Sequence, residues 1–201
     1  MYELLRILFT TLFSIVFRWQ IIGAENIPPG GVIIAANHIS LWDPPVIGSA
    51  LSRRIHFMAK EELFTNRIFS WIITKLGAFP VKRGTADRTA IRTALTILEK
   101  GAVLGIFPEG TRSKNGKLGN PEPGLALLAL KAGVPIIPTA VIGTNKVFSN
   151  GCLLPRFKVI FGNPIILSRS ETVKESMEAM SSKVMTEIGN LLERADADKP
   201  V

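Results

Sequence analysis

Of the two histidines in the sequence, His38 and His56, the first has the more chemical neighbourhood. It ends an apolar run and is followed five positions later by Asp43, itself followed by Pro44-Pro45. A turn, rather than a helix face, can bring a carboxylate at this separation against the imidazole. The carboxylate would then fix the tautomer and leave the far ring nitrogen to accept a proton, which is what a general base requires. Asp43 also has a purely structural reading. A residue before proline avoids the α region and proline is welcome at the first helical position, so Asp43 can simply cap a helix opened by Pro44. His56 lies mid-strand without an evident partner and is expected to be structural. Neither histidine belongs to a metal-ligand spacing pattern, and no metal site is expected.

Two cationic clusters accompany this pair. Phe107-Pro108-Glu109-Gly110-Thr111-Arg112-Ser113 couples the end of an apolar run to a glycine, a hydroxyl and a guanidinium. Backbone N–H groups together with an arginine make a cradle for an anion, although a plain glycine turn with a solvated arginine has the same letters. Lys82-Arg83-Gly84 adds two more cations after another short apolar run; taken alone, such a pair is a solvated face.

The elements that must position these groups alternate. Apolar runs at Val32–Ala36, 55–59, 78–81, 103–107, Ile136–Ile142 and 157–161 read as strands. Between them, Thr85 can cap a helix whose Ile91, Leu95 and Leu98 recur at spacings of four and three, with Gly101 ending it. Residues 124–131 form a short apolar helix stopped by Gly133 and Pro135. Ser168 and Glu171 have capping-box spacing ahead of Val173, Met177, Met180, Val184, Ile188 and Leu191, a stripe read as core. Strands alternating with helices predict an α/β fold, a mostly parallel mixed sheet flanked by helices. In such sheets ligands gather at the carboxyl ends of the strands, where all three polar clusters fall.

Composition narrows the partners. Hydrophobic residues are 47% of the 201-residue chain and charged residues 20%, enough for one packed domain. A mean hydropathy of +0.29 leaves an apolar surplus for lipid or a greasy substrate. Of the net charge of +8, much lies in residues 53–92, with nine basic side chains against three acidic. No strand interleaves aromatic with basic residues in the RNA-binding manner, so an anionic lipid surface or a phosphorylated substrate is favoured over nucleic acid. Residues 1–19 are apolar, interrupted by Glu3 and Arg6, and end at Trp19, which fits a helix lying in one leaflet better than a secretory signal. A buried core helix is the alternative. Residues 63–76 form a second greasy segment. The single cysteine, Cys152, excludes an internal disulfide and is read as loop filler.

Four stretches occur in an order that resembles the motifs of the glycerol-phosphate acyltransferase family. Asn37-His38 to Asp43-Pro44 is similar to the first, Gly77 to Arg83 to the second, Phe107 to Ser113 to the third and Val134 to Pro138 to the fourth. They span residues 37–138, and the 1-acylglycerol-3-phosphate acyltransferase branch is the nearest match. The resemblance implies His38 as general base oriented by Asp43. It implies Lys82, Arg83 and Arg112 on the acceptor's phosphate, with Glu109, Gly110 and Thr111 shaping that pocket and Pro138 on the donor or support side. It implies transfer of an acyl group from acyl-CoA or acyl carrier protein, as co-substrate with no cofactor, to the sn-2 hydroxyl of lysophosphatidate. Residues 1–22 would be a membrane-associating helix and 23–201 one acyltransferase domain at the cytoplasmic face of a membrane. Ser40 and Cys152 lie in no nucleophile-elbow pattern, which favours direct transfer over an acyl-enzyme. Another lyso-lipid or glycerol-3-phosphate as acceptor, a thioesterase, and a non-catalytic membrane-binding module are the rival readings.

Overall fold

The computed structural model describes residues 1–201 except 86, 114, 123, 148–153, 167–172 and 198–201; for 173–176 it describes the backbone alone. Cys152 and the capping box at 168–171 therefore lie outside the described residues. In chain order the elements are α1 (Tyr2–Ile15), β1 (Gln20–Ile22), β2 (Val32–Ala36), α2 (Asp43–Ala50), β3 (Ile55–Lys60), α3 (Arg67–Lys75), β4 (Phe79–Val81), α4 (Arg88–Glu99), β5 (Val103–Ile106), α5 (Gly124–Ala132), β6 (Ile136–Ile142), β7 (Lys158–Phe161) and α6 (Val173–Ala197).

The strands make one seven-stranded sheet in the order β1-β7-β6-β2-β5-β3-β4. Strands β2 to β6 run parallel, β7 runs antiparallel to β6, and β1 pairs parallel with β7. The α/β fold with a sheet flanked by helices is thus as expected. Burial on both faces explains why the central strands read as continuous apolar runs. Along β2 the side chains alternate between two cores: Val32, Ile34 and Ala36 pack with Phe13, Val46, Ile47 and Phe157, whereas Ile33 and Ala35 pack with Leu98, Leu125, Ile136 and Ile188. Helices α1 and α2 cover the first face, and α4, α5 and α6 the second.

One expectation is corrected. The N-cap of α4 is Asp87, whose carboxylate accepts from the Thr89 and Ala90 N–H groups; Thr85 instead donates its hydroxyl to the Lys82 carbonyl. Two residues made the difference, because a carboxylate outbids a hydroxyl for helix-end donors. Strand β1 carried no pattern, since all three of its residues are exposed. The apolar N-terminal run ends as a helix at Ile15 and divides its surface. Phe13 is fully buried among Phe9, Phe17, Trp19 and Phe157, while Leu4, Leu8 and Ile15 are exposed. Among the described residues no helix is long and apolar enough to cross a membrane. The α6 stripe is core: Met180, Val184, Ile188 and Leu191 are buried.

Candidate active site

Strand β2 delivers Asn37 and His38 to the carboxyl edge of the sheet. There the side chain of Asn37 replaces the missing strand: its amide donates to the Val141 carbonyl at 2.9 Å and accepts from the Val141 N–H at 2.7 Å. The ladder between β2 and β6 is closed by a side chain, so the main chain of His38 is free to turn away. Its N–H donates to Glu109 Oε1 at 3.2 Å and its carbonyl accepts from the Ser113 N–H at 2.8 Å.

The imidazole is held at one nitrogen and on one face. Its Nδ1 donates to Asp43 Oδ2 at 2.8 Å. Its face stacks on Phe107 with ring centroids 4.0 Å apart, and Phe107 stacks in turn on Phe57. The Phe57 ring fits there because position 105 is a glycine; a Cβ at that position would occupy the space of the ring. With Nδ1 committed to a carboxylate, Nε2 is the nitrogen left to accept a proton.

Asp43 is completely buried and is not a helix cap. Trp42 precedes α2 with no side-chain capping bond, and the Asp43 carboxylate faces backwards. Oδ2 accepts from the His38 ring and from the Ile39 and Ser40 N–H groups, both at 2.7 Å; Oδ1 accepts the Thr144 hydroxyl at 2.6 Å. Four donors on one carboxylate satisfy its buried oxygens.

His38 opens onto an apolar cavity of about 320 Å³, lined among others by Pro44, Gly48, Phe57, Phe69 and Ile73, and also by Arg83. The other expected residues distribute unevenly. Lys82 is exposed, 3.9 Å from Glu61, and its N–H donates to Asp87. Glu109 spends both carboxylate oxygens on the main chain, one on His38 and the other on the Gly119 N–H at 2.9 Å. Glu109 and Thr111 line a second, polar cavity of about 480 Å³ with Ser113, Asn115 and Lys117. Gly110 takes φ +67, and Arg112 is exposed and lines neither cavity. Pro138 is buried in β6 opposite Ala35 of β2, where it supports the sheet. His56 lines neither cavity; its ring meets the Gly77 carbonyl at 3.2 Å, and burial, then Arg54, holds its pKa below the usual range. Sequence reasoning missed Phe107 and Thr144 as partners of the pair. Phe107 had a signal, standing at the head of the third motif; Thr144 had none.

A buried His–Asp pair at the edge of an α/β sheet, facing an apolar cavity, fits an acyl-transfer class of protein. The acyltransferase family model matches residues 18–142, and the chain belongs to that family. It is 37% identical over 164 residues to the 1-acyl-sn-glycerol-3-phosphate acyltransferase of Streptococcus pneumoniae, covering 79% of this chain and 60% of that one. To the enzyme of the same name from Bacillus subtilis it is 31% identical, covering 88% and 89%. The chain spans less than two thirds of several curated relatives, 40% in the case of a chloroplast enzyme from Brassica napus. The crystal structure of the 1-acyl-sn-glycerophosphate (LPA) acyltransferase PlsC from Thermotoga maritima superposes with a TM-score of 0.81 at 27% identity, covering 100% of this chain and 81% of that one.

Proposed function

We propose that this chain is a 1-acyl-sn-glycerol-3-phosphate O-acyltransferase acting by direct His/Asp general-base catalysis. The observation that carries the reading is the 2.8 Å contact between His38 Nδ1 and the buried Asp43 carboxylate, at the mouth of an apolar cavity that Arg83 also lines. The names of the relatives support the substrate class. The acyl chain of a thioester, from CoA or acyl carrier protein, occupies the apolar cavity. The lysophosphatidate phosphate docks on Arg83, with the exposed Lys82 and Arg112 adding to the positive potential that attracts it. His38 Nε2 takes the proton of the sn-2 hydroxyl as its oxygen attacks the thioester carbonyl. Collapse breaks the C–S bond, and the imidazolium returns the proton to the leaving thiolate. Phosphatidate is the product.

Attachment to the cytoplasmic face of a membrane is part of the proposal. Leu4, Leu8 and Ile15 of α1 and Ile68, Phe69 and Trp71 of α3 are exposed apolar side chains, which supports a monotopic seat in one leaflet. The decisive experiment is a thiol-release assay on purified protein, crossing acyl-CoA and acyl carrier protein with lysophosphatidate and glycerol-3-phosphate. His38→Ala is expected to abolish turnover with folding intact. Retained turnover rejects the assignment, and release of thiol without an acceptor redirects it to a thioesterase.

A further inference from the structure

The Asp43 carboxylate owes one of its four hydrogen bonds to a residue 101 positions away. Thr144 follows Gly143, in a 3₁₀ turn (Thr144–Lys146) that begins where β6 ends. Gly143 adopts φ +87, and a Cβ there would collide with the Arg156 carbonyl, so the chain makes this turn only with glycine. The turn drives the Thr144 side chain inward: the residue is 1% exposed, and its hydroxyl meets Asp43 Oδ1 at 2.6 Å. The other three donors all converge on Oδ2 and come from residues 38–40. They hold one oxygen, and the Thr144 hydroxyl is the donor that holds the other.

We infer that Thr144 is a positioning residue of the reaction: its buried hydroxyl tethers Oδ1 and so steadies the carboxylate whose Oδ2 meets His38 Nδ1. The inference rests on the proposed role of the pair and adds a residue that the four motif stretches do not contain. Thr144 touches no substrate. Its effect reaches the reacting atoms through Asp43 and then the ring, so it acts on the chemical step and leaves substrate binding alone. The same end of β6 also holds Asn37 through Val141, so one strand terminus braces both halves of the loop that carries His38.

The test compares Thr144→Val, nearly the same shape without the hydroxyl, with Thr144→Ser, which keeps the hydroxyl and loses the methyl. Loss of one hydrogen bond to a charged acceptor predicts a fall in kcat of roughly tenfold or more for the valine variant. Both Michaelis constants should stay within about twofold, because no binding contact is touched. The serine variant should recover most of kcat. Turnover of Thr144→Val within twofold of the parent overturns the inference, as does a serine variant no better than valine. If the valine variant does not fold, Thr144→Ala against Thr144→Ser poses the same question. The outcomes stay separable: an active His38→Ala sinks the proposed function, whereas an inactive His38→Ala beside a normal Thr144→Val sinks this inference only.

Discussion

Replacing Asp43 by asparagine or by alanine separates the charge of the carboxylate from its geometry. The carboxylate accepts from the His38 ring, the Ile39 and Ser40 N–H groups and the Thr144 hydroxyl. In Asp43→Asn the new amide's oxygen can occupy the place of Oδ2 and keep three of these bonds, while its NH₂ faces Thr144, whose hydroxyl can turn and accept. The scaffold survives, and what is lost is the negative charge opposite the imidazolium formed in the transition state. A charge-assisted hydrogen bond is worth ~1.5–3 kcal/mol, so kcat is expected to fall roughly 10- to 150-fold with little change in melting temperature. Asp43→Ala has a different consequence. It orphans four donors in a site where Asp43 itself is 0% exposed. At ~1–3 kcal/mol for each unsatisfied group, even two that find no water cost a large part of the ~5–15 kcal/mol by which domains are stable. The alanine variant should therefore melt many degrees lower or fail to accumulate. Thiol release and thermal melts on the same preparations read both effects. An asparagine variant with parental kcat, or an alanine variant as stable as the parent, would refute the reasoning.

Four further outcomes are expected. Gly48 faces the apolar cavity, and a Cβ there meets only Ile55 at 3.4 Å and the Tyr2 hydroxyl at 3.9 Å, so Gly48→Leu should fit and shorten the space. Displacing two methylenes at ~0.8 kcal/mol each should shift the preference towards shorter acyl chains by about 15-fold in kcat/KM, read on a chain-length series. Asp87→Ala should lower the melting temperature through the lost cap and, by releasing the Lys82 N–H, raise the Michaelis constant for the phosphorylated acceptor. Arg83→Ala should raise that constant more than Arg112→Ala, because Arg83 shares the cavity with His38; equal effects would place both at one site. For His56, burial and the nearby Arg54 depress the folded pKa, so the unfolded chain binds the proton more readily. Its contribution is intact above the unfolded value of about 6.5 and is lost as pH falls through the folded one. His56→Asn should therefore narrow the gap in melting temperature between neutral and mildly acidic buffer.

Much of the scaffold was legible. β2 and β6 have the bounds their apolar runs suggest, because strands buried on both faces tolerate no polar interruption. The proline pair at the start of α2 and the glycines that end helices marked turns for reasons local to each residue. β1 was invisible, since a three-residue exposed edge strand carries no periodicity. The N-terminal helix gave an ambiguous signal because it is two things at once: Phe13 belongs to the core, and Leu4 and Ile15 face outwards.

What the amino-acid order determined by itself was the inventory: which groups can exchange a proton, which can hold a phosphate, and that strand ends carry them to one edge of a sheet. These follow from side-chain chemistry and from periodicities that span a few residues. The tertiary structure alone decided that Asp43 turns back to His38 instead of capping α2, that Glu109 clamps main chain, and that Phe107, Val141 and Thr144 complete the setting. The contacts of Glu109 and Phe107 with His38, of Val141 with Asn37 and of Thr144 with Asp43 join residues 69 to 104 positions apart in sequence, where no local pattern can encode them. They exist because parallel strands distant in the chain end side by side, and because a buried carboxylate must find its donors wherever the fold has brought them.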